Sequence, residues 1–308
     1  MRVAAIDCGT NSLRLLVADI DPATGAITDL DRDMEIVRLG EGVDKTRRFS
    51  DAALARTLST CRDYASRIKS LDVEAIRFVA TSASRDATNR DEFFDGVRAA
   101  FGVDAEVVSG DEEAALSFAG ATRELAGDKD VSPPYLVVDI GGGSTEFVLG
   151  STAADAARSV DVGCVRLAER HFHSDPAAAE EISAARADIV RALNLVEETV
   201  PLAAAVTLVG LAGSVTTVAA MALELDAYDP QRIHHSRIDA SSVHEVTRRL
   251  LSMTCAQRKA LPVMHPGRAD VIGAGALVLD TIMLRIGATE VVVSEHDILD
   301  GIALSITR

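Results

Sequence analysis

The chain has 308 residues, 48% of them hydrophobic, more apolar material than one compact unit usually holds, so two domains are expected. A formal charge of −16 argues against nonspecific nucleic-acid or anionic-membrane binding, and any polyanionic ligand would have to be held locally, by backbone N–H groups, a metal or clustered arginine. The cysteines, Cys8, Cys61, Cys164 and Cys255, are scattered without metal-ligand spacing, and Arg2–Ile6 runs straight into a strand pattern without signal-peptide anatomy, so a soluble cytoplasmic protein with reduced thiols is expected.

Arg2–Ile20 reads as strand, turn and strand, and Asp21–Gly25 as a second turn. Ser50 is an N-cap, and Leu54, Leu58, Cys61, Ala65 and Ile68 at helical spacing predict a helix over 51–70. Ala75–Ala80 is a short strand, Asn89 caps a helix carrying Phe94, Val97 and Phe101, and Glu106–Val108 is another strand. Ser109-Gly110-Asp111-Glu112 has capping-box spacing and opens a helix to about 125. Gly127–Pro134 is a loop; Tyr135–Ile140 and Thr145–Leu149 are strands flanking Gly141-Gly142-Gly143-Ser144. An Ala-rich helix covers 177–198, Val206–Leu211 is a strand, and Gly213 opens a helix to about 225. Helices near 241–253 and 268–286, a strand at Glu290–Ser294 and a helix over Asp297–Ile306 complete an interleaved α/β pattern.

One motif occurs twice. Asp7-Cys8-Gly9-Thr10-Asn11-Ser12 and Asp139-Ile140-Gly141-Gly142-Gly143-Ser144 both read D-x-G-x-x-S, each between two strands. Glycine-rich turns let backbone N–H groups converge on phosphate oxygens, so Gly9, Thr10, Asn11 and Ser12 form one candidate phosphate loop and Gly141, Gly142, Gly143 and Ser144 the other. Asp7 and Asp139 end their strands where a carboxylate can hold Mg²⁺. There is no G-x-x-x-x-G-K-[ST], and the strand after each loop excludes the Rossmann fingerprint.

With these loops the chain resembles the exopolyphosphatase and guanosine pentaphosphate phosphohydrolase family, within the superfamily of actin, sugar kinases and the 70-kDa heat-shock ATPases. The resemblance is carried by Val3–Val17, Thr81–Asn89, Ser109–Ala114 and Val138–Glu146, and more loosely by Gly210–Ser214 and Arg268–Asp270. It implies an α/β fold of two actin-like (ribonuclease H-like, ASKHA) domains with an interdomain cleft, residues 1–120 plus 297–308 forming the first and 121–296 the second. It further implies Glu113 as general base, Arg85 facing the phosphates, Asp139 and Glu146 holding Mg²⁺ and the water, with Asp7 as a further metal ligand and Mn²⁺ as an alternative ion. Gly213 and Ser214 join the phosphate contacts. The substrate expected is inorganic polyphosphate or guanosine pentaphosphate, and the assembly a homodimer without nucleic-acid or membrane partners.

On their own residues, Glu113 is an ordinary first-turn acid, Glu112 the capping-box partner, and Arg85 a surface ion-pair former. His234 and His235, adjacent in a turn-rich loop, are not expected to form a metal pair; contact with a phosphate tail, together with Arg237, is the other reading. His171 and His173 read as surface residues. Arg32, Arg38, Lys45, Arg47 and Arg48 form either a solvated loop or a landing strip for polyphosphate. Two departures stand out. Longer relatives carry a C-terminal helical extension, so short polyphosphates are the expected substrate. Ile298-Leu299-Asp300-Gly301 stands where relatives have Leu-Arg-Glu-Gly, so the missing arginine's contacts must be met otherwise. The alternatives in other classes are an ATP-dependent kinase and a non-catalytic alarmone or polyphosphate sensor.

Overall fold

In the computed structural model, which describes residues 1–129 and 131–307, the chain opens with a meander of β1 (Arg2–Cys8), β2 (Ser12–Ile20) and β3 (Ile27–Ile36). Asp130, in the expected 127–134 loop, and Arg308 lie outside the described residues. The short α1 (Val43–Thr46) and long α2 (Asp51–Ser70) lead to β4 (Ala75–Ala80), α3 (Ser82–Asp86), α4 (Arg90–Phe101), β5 (Ala105–Val107) and α5 (Gly110–Thr122). The strands form one sheet in the order β3-β2-β1-β4-β5, antiparallel through the meander and parallel from β1 onward.

The pattern then repeats. A second meander, β6 (Tyr135–Ile140), β7 (Thr145–Gly150) and β8 (Ala154–Val160), is followed by α6 (Cys164–His171), α7 (Ala179–Glu197), β9 (Thr207–Leu211) and α8 (Ala212–Ala222). Next come α9 (Pro230–Ile233), β10 (Arg237–Asp239), α10 (Ala240–Ser252), α11 (Cys255–Lys259), α12 (Ile272–Ile286) and β11 (Glu290–Val293). The second sheet runs β10-β11-β9-β6-β7-β8. Read from β8 it repeats the first sheet's order and directions, with antiparallel β10 added at its edge. This is the ribonuclease H-like arrangement of actin-like domains, present twice.

The chain divides into two compact units, Met1–Gly120 with Ile298–Arg308, and Ala121–Asp297. The last helix, α13 (Ile298–Ser305), packs on β1 and β2. That packing explains why β1 reads as a continuous apolar run: Ala4, Ile6 and Cys8 join the core beneath α2 and α4, while Val3 and Ala5 join Leu299 and Ile302 on the other face. Phe93 is the aromatic hub of the first core, with ring centroids 6.0 Å from both Phe49 and Phe78. Asp300 is buried and paired with Arg32 of β3, so one residue of the basic stretch is structural. No helix among the described residues is long and apolar enough to cross a membrane.

Several local expectations are corrected. Ser50 does cap α2, accepting from the Ala53 N–H, but Asn89 makes no cap bond. Instead its amide brackets Phe49, accepting from the Phe49 N–H at 2.8 Å and donating to its carbonyl at 3.1 Å. The Ser109 hydroxyl accepts from the Glu112 N–H, yet the Glu112 carboxylate turns to Arg77. The helix expected from 268 starts at Ile272. Strands β3, β8 and β10 and helix α6 occupy segments that carry no predicted element.

Candidate active site

In the first unit the candidate residues gather at the carboxyl ends of β1, β4 and β5, the edge of a parallel α/β sheet where ligands bind. The loop after β1 is closed by a hydrogen bond from the Gly9 N–H to the Ser12 carbonyl, 3.0 Å. The carbonyls of Thr10 and Asn11 are tied back to the N–H groups of Gly40 and Arg38, at 2.8 and 2.9 Å. In a trans peptide the N–H points opposite to the C=O, so the N–H groups of Asn11 and Ser12 face away from that tether. The Thr10 Oγ1 and Asn11 Oδ1 atoms are buried without a hydrogen-bond partner. Orphaned buried polar atoms are rare, and on a loop of this kind they fit an absent polar ligand.

Glu113 lies in the first turn of α5, where its N–H bonds to the Ser109 carbonyl. Its side chain is buried and meets Arg85 from the end of α3, with Nη1 to Oε2 at 2.7 Å. Arg85 is steadied by a second bond to the Val108 carbonyl, 3.0 Å. Burial raises the Glu113 pKa above its usual value, against the opposing pull of Arg85 and of a hydrogen bond from Thr81. A carboxylate so tuned is a competent proton acceptor. Asp7, the penultimate residue of β1, stands opposite Arg14 of β2, with the charged groups 3.7 Å apart.

In the second unit Asp139 and Glu146 face each other directly across β6 and β7, only 7% and 1% exposed. Glu146 also accepts from the Ser159 hydroxyl at 2.7 Å. Two buried carboxylates on one face repel, so the pair fits a cation, and its oxygen donors suit Mg²⁺ or Mn²⁺ better than a thiolate-seeking metal. Between them, the Gly141–Ser144 loop closes as the first loop does, Gly141 N–H to Ser144 carbonyl at 3.1 Å. Its carbonyls turn to the start of α6. Gly141 accepts from Cys164 at 2.9 Å, Gly142 from Val165 at 2.9 Å and Arg166 at 3.1 Å, and Gly143 from the Arg166 side chain at 2.7 Å. Gly163 makes the approach possible, because a Cβ there would overlap the Gly142 backbone.

Gly213 and Ser214 lie in the first turn of α8, which starts at Ala212 directly after β9. A Cβ on Gly213 would overlap the Arg268 guanidinium, so this glycine admits Arg268 to the corner. Ser214 is buried against Gly275 and hydrogen-bonded to Cys164. Sequence reasoning assigned no role to Thr81, Gly163, Arg166 or Arg268. Thr81 and Arg268 open the Thr81–Asn89 and Arg268–Asp270 stretches that carry the resemblance; Gly163 and Arg166 act through contacts distant in sequence and gave no signal.

The two histidines differ from expectation. His235 adopts a left-handed backbone, φ 58°, which breaks the alternation of a regular element and stacks its ring on His234 at 3.8 Å. Glu124, His234 and His296 present ligand-type atoms within 4.8 Å of one another. They form a hydrogen-bonded group, however. Nδ1 of His234 accepts from the Glu295 N–H at 3.1 Å, so its proton lies on Nε2, directed at Glu124 Oε2 3.1 Å away. Metal coordination through Nε2 would set a proton on Nδ1 against that N–H. His171 is likewise engaged, 3.0 Å from Asp188.

Residues 16–308 match the Ppx/GppA phosphatase family. The chain belongs to this family. It is 51% identical over 316 residues to exopolyphosphatase 2 of Mycobacterium tuberculosis, covering 99% of this chain and 98% of that protein. Among solved structures, an exopolyphosphatase-like protein superposes with a TM-score of 0.96 at 40% identity, covering 100% of this chain and 99% of the other. The Aquifex aeolicus family member gives 0.79 at 28% identity, covering 99% and 97%.

Proposed function

We propose that this chain is an exopolyphosphatase, which hydrolyses the terminal phosphoanhydride bond of inorganic polyphosphate and releases orthophosphate. The observation that carries the reading is Glu113, a buried carboxylate of raised pKa gripped by Arg85 at the ligand-binding edge of a parallel sheet. Full-length similarity to a protein named exopolyphosphatase and to an exopolyphosphatase-like structure supports this substrate class. In this reading Glu113 takes a proton from the attacking water as its oxygen bonds to the terminal phosphorus. The bridging P–O bond breaks, and the shortened polyphosphate leaves as an anion. The N–H groups and hydroxyls of Gly9–Ser12 hold phosphoryl oxygens, and those of Gly141–Ser144, with Gly213 and Ser214 beside them, do so in the other unit. Arg85 neutralises charge beside the base, since phosphoryl transfer needs positioning and charge neutralisation more than covalent help. Asp139 and Glu146 would hold Mg²⁺ or Mn²⁺, which when bound neutralises phosphate charge, and Asp7 is the acidic residue at the corresponding place in the first unit. A cytoplasmic homodimer completes the reading.

The test is orthophosphate release from polyphosphates of graded length, beside guanosine pentaphosphate and ATP, with Mg²⁺ and with chelator. Release from polyphosphate that chelator abolishes is the expected result. Turnover of the guanosine nucleotide alone would make the chain a pentaphosphate phosphohydrolase instead, and binding without turnover a sensor.

A further inference from the structure

The second phosphate loop is held in an uneven way. Three consecutive peptides, Gly141–Gly142, Gly142–Gly143 and Gly143–Ser144, turn their carbonyls to α6. Because each peptide is trans and planar, the N–H groups of Gly142, Gly143 and Ser144 all point the other way. The first two carbonyls are held by backbone N–H groups at the start of α6, which no substitution at those positions except proline removes. The third is held by a side chain, the Arg166 Nε, at 2.7 Å. Arg166 is only 5% exposed, with the carboxylate of the well-exposed Asp161 3.8 Å from its guanidinium.

We propose that Arg166 is a positioning residue for phosphate binding: it fixes the Gly143–Ser144 peptide so that the Ser144 N–H is presented to a phosphoryl oxygen. It does not touch the substrate itself. The inference rests on the reading of Gly141–Ser144 as a phosphate loop.

The test is R166Q and R166K against wild type, with steady-state hydrolysis of tripolyphosphate and calorimetric titration of tripolyphosphate and of orthophosphate alone. R166Q keeps a donor but loses the charge and the guanidinium's fixed geometry. Its kcat/KM is expected to fall about 10- to 100-fold, the scale of one hydrogen bond to a charged group. The loss should lie mainly in KM, with a parallel weakening of tripolyphosphate and orthophosphate binding. R166K, which keeps the charge, should recover at least about a third of the lost affinity on a logarithmic scale, since charge-assisted bonds are roughly twice as strong as neutral ones. A merely structural role predicts a lower Tm with KM and affinities unchanged. Folded R166Q with wild-type KM and phosphate affinity overturns the proposal. If R166Q does not fold, R166K decides: weaker phosphate binding than wild type supports it, and equal binding overturns it. Wild-type protein that binds tripolyphosphate without hydrolysing it would defeat the exopolyphosphatase reading while leaving this comparison intact.

Discussion

Glu113 sits where two demands conflict. Burial favours its neutral form, and Arg85 at 2.7 Å favours its charged form; burial prevails, and the pKa lies above the ordinary 4.5. An acid whose folded pKa is raised contributes stability that is complete below 4.5 and is lost as pH rises through the folded value. At neutral pH the ionised group therefore weighs against the fold, while catalysis requires it. E113Q should lower kcat by about 100-fold or more, the scale of a lost general base, with Tm at neutral pH equal to or above wild type. Retained turnover would remove Glu113 from the mechanism. The acid limb of kcat/KM should lie above pH 4.5, and R85M, which deletes the attraction opposing burial, should move it higher; a pH–rate profile of each protein shows the direction. At this scale the sequence was legible in part. Glu113 and Arg85 stood out by likeness to a family, since a first-turn acid and a lone arginine carry no signal of their own. The contacts of Thr81 and Arg166 were illegible because their partners lie 32 and 23 residues away, across chain reversals that periodicity does not encode.

At the scale of elements, each D-x-G-x-x-S loop joins the first two strands of a meander, and the duplicated motif foretold the duplicated sheet. Of the missed strands, β3 and β8 are both on meander edges. Strand β3 carries Asp29, Asp31 and Asp33, with Arg67 of α2 paired to the latter two, so no apolar alternation marks it. Strand β8 is Ala- and Arg-containing and half exposed. Edge strands are kept polar against unwanted pairing, and the same property hides them from pattern reading. Central strands, buried on both faces, were plain. The β6–β7 pair gives a prediction of opposite sign for stability and function. Asp139 and Glu146 are direct cross-strand neighbours, and facing like charges destabilise a sheet by roughly 0.2–1 kcal/mol. E146Q keeps an oxygen for the Ser159 hydroxyl and removes one charge. In chelator its Tm should not fall below wild type, while the Tm increase that Mg²⁺ gives the wild type should be lost along with activity. Thermal scans with and without Mg²⁺ decide, and an undiminished Mg²⁺ shift would take Glu146 out of the metal set.

Over the whole molecule, the chain passes between its units twice, at Gly120–Ala121 and at Asp297–Ile298. Glu124 lies within four residues of the first passage and His296 beside the second, and both meet His234 within the second unit. Burial lowers the pKa values of His234 and His235 below 6.5. Glu124 is held below 4.5 because the His234 hydrogen bond and the three histidine rings outweigh its own burial. A depressed folded pKa contributes stability that is present above the unfolded value and lost as pH falls through the folded one. All three groups thus act in one direction: stability declines as pH drops below 6.5 and declines further below 4.5. Protonating His234 would also set a donor on Nδ1 against the Glu295 N–H, breaking the bond that fixes the segment before the second passage. H234N retains an oxygen for that N–H and cannot titrate. Between neutral pH and about pH 5.5, the range in which histidine changes charge, wild-type Tm should fall more than that of H234N. Parallel thermal scans at the two pH values measure this difference, and equal losses in the two proteins would show that His234 does not contribute to acid sensitivity.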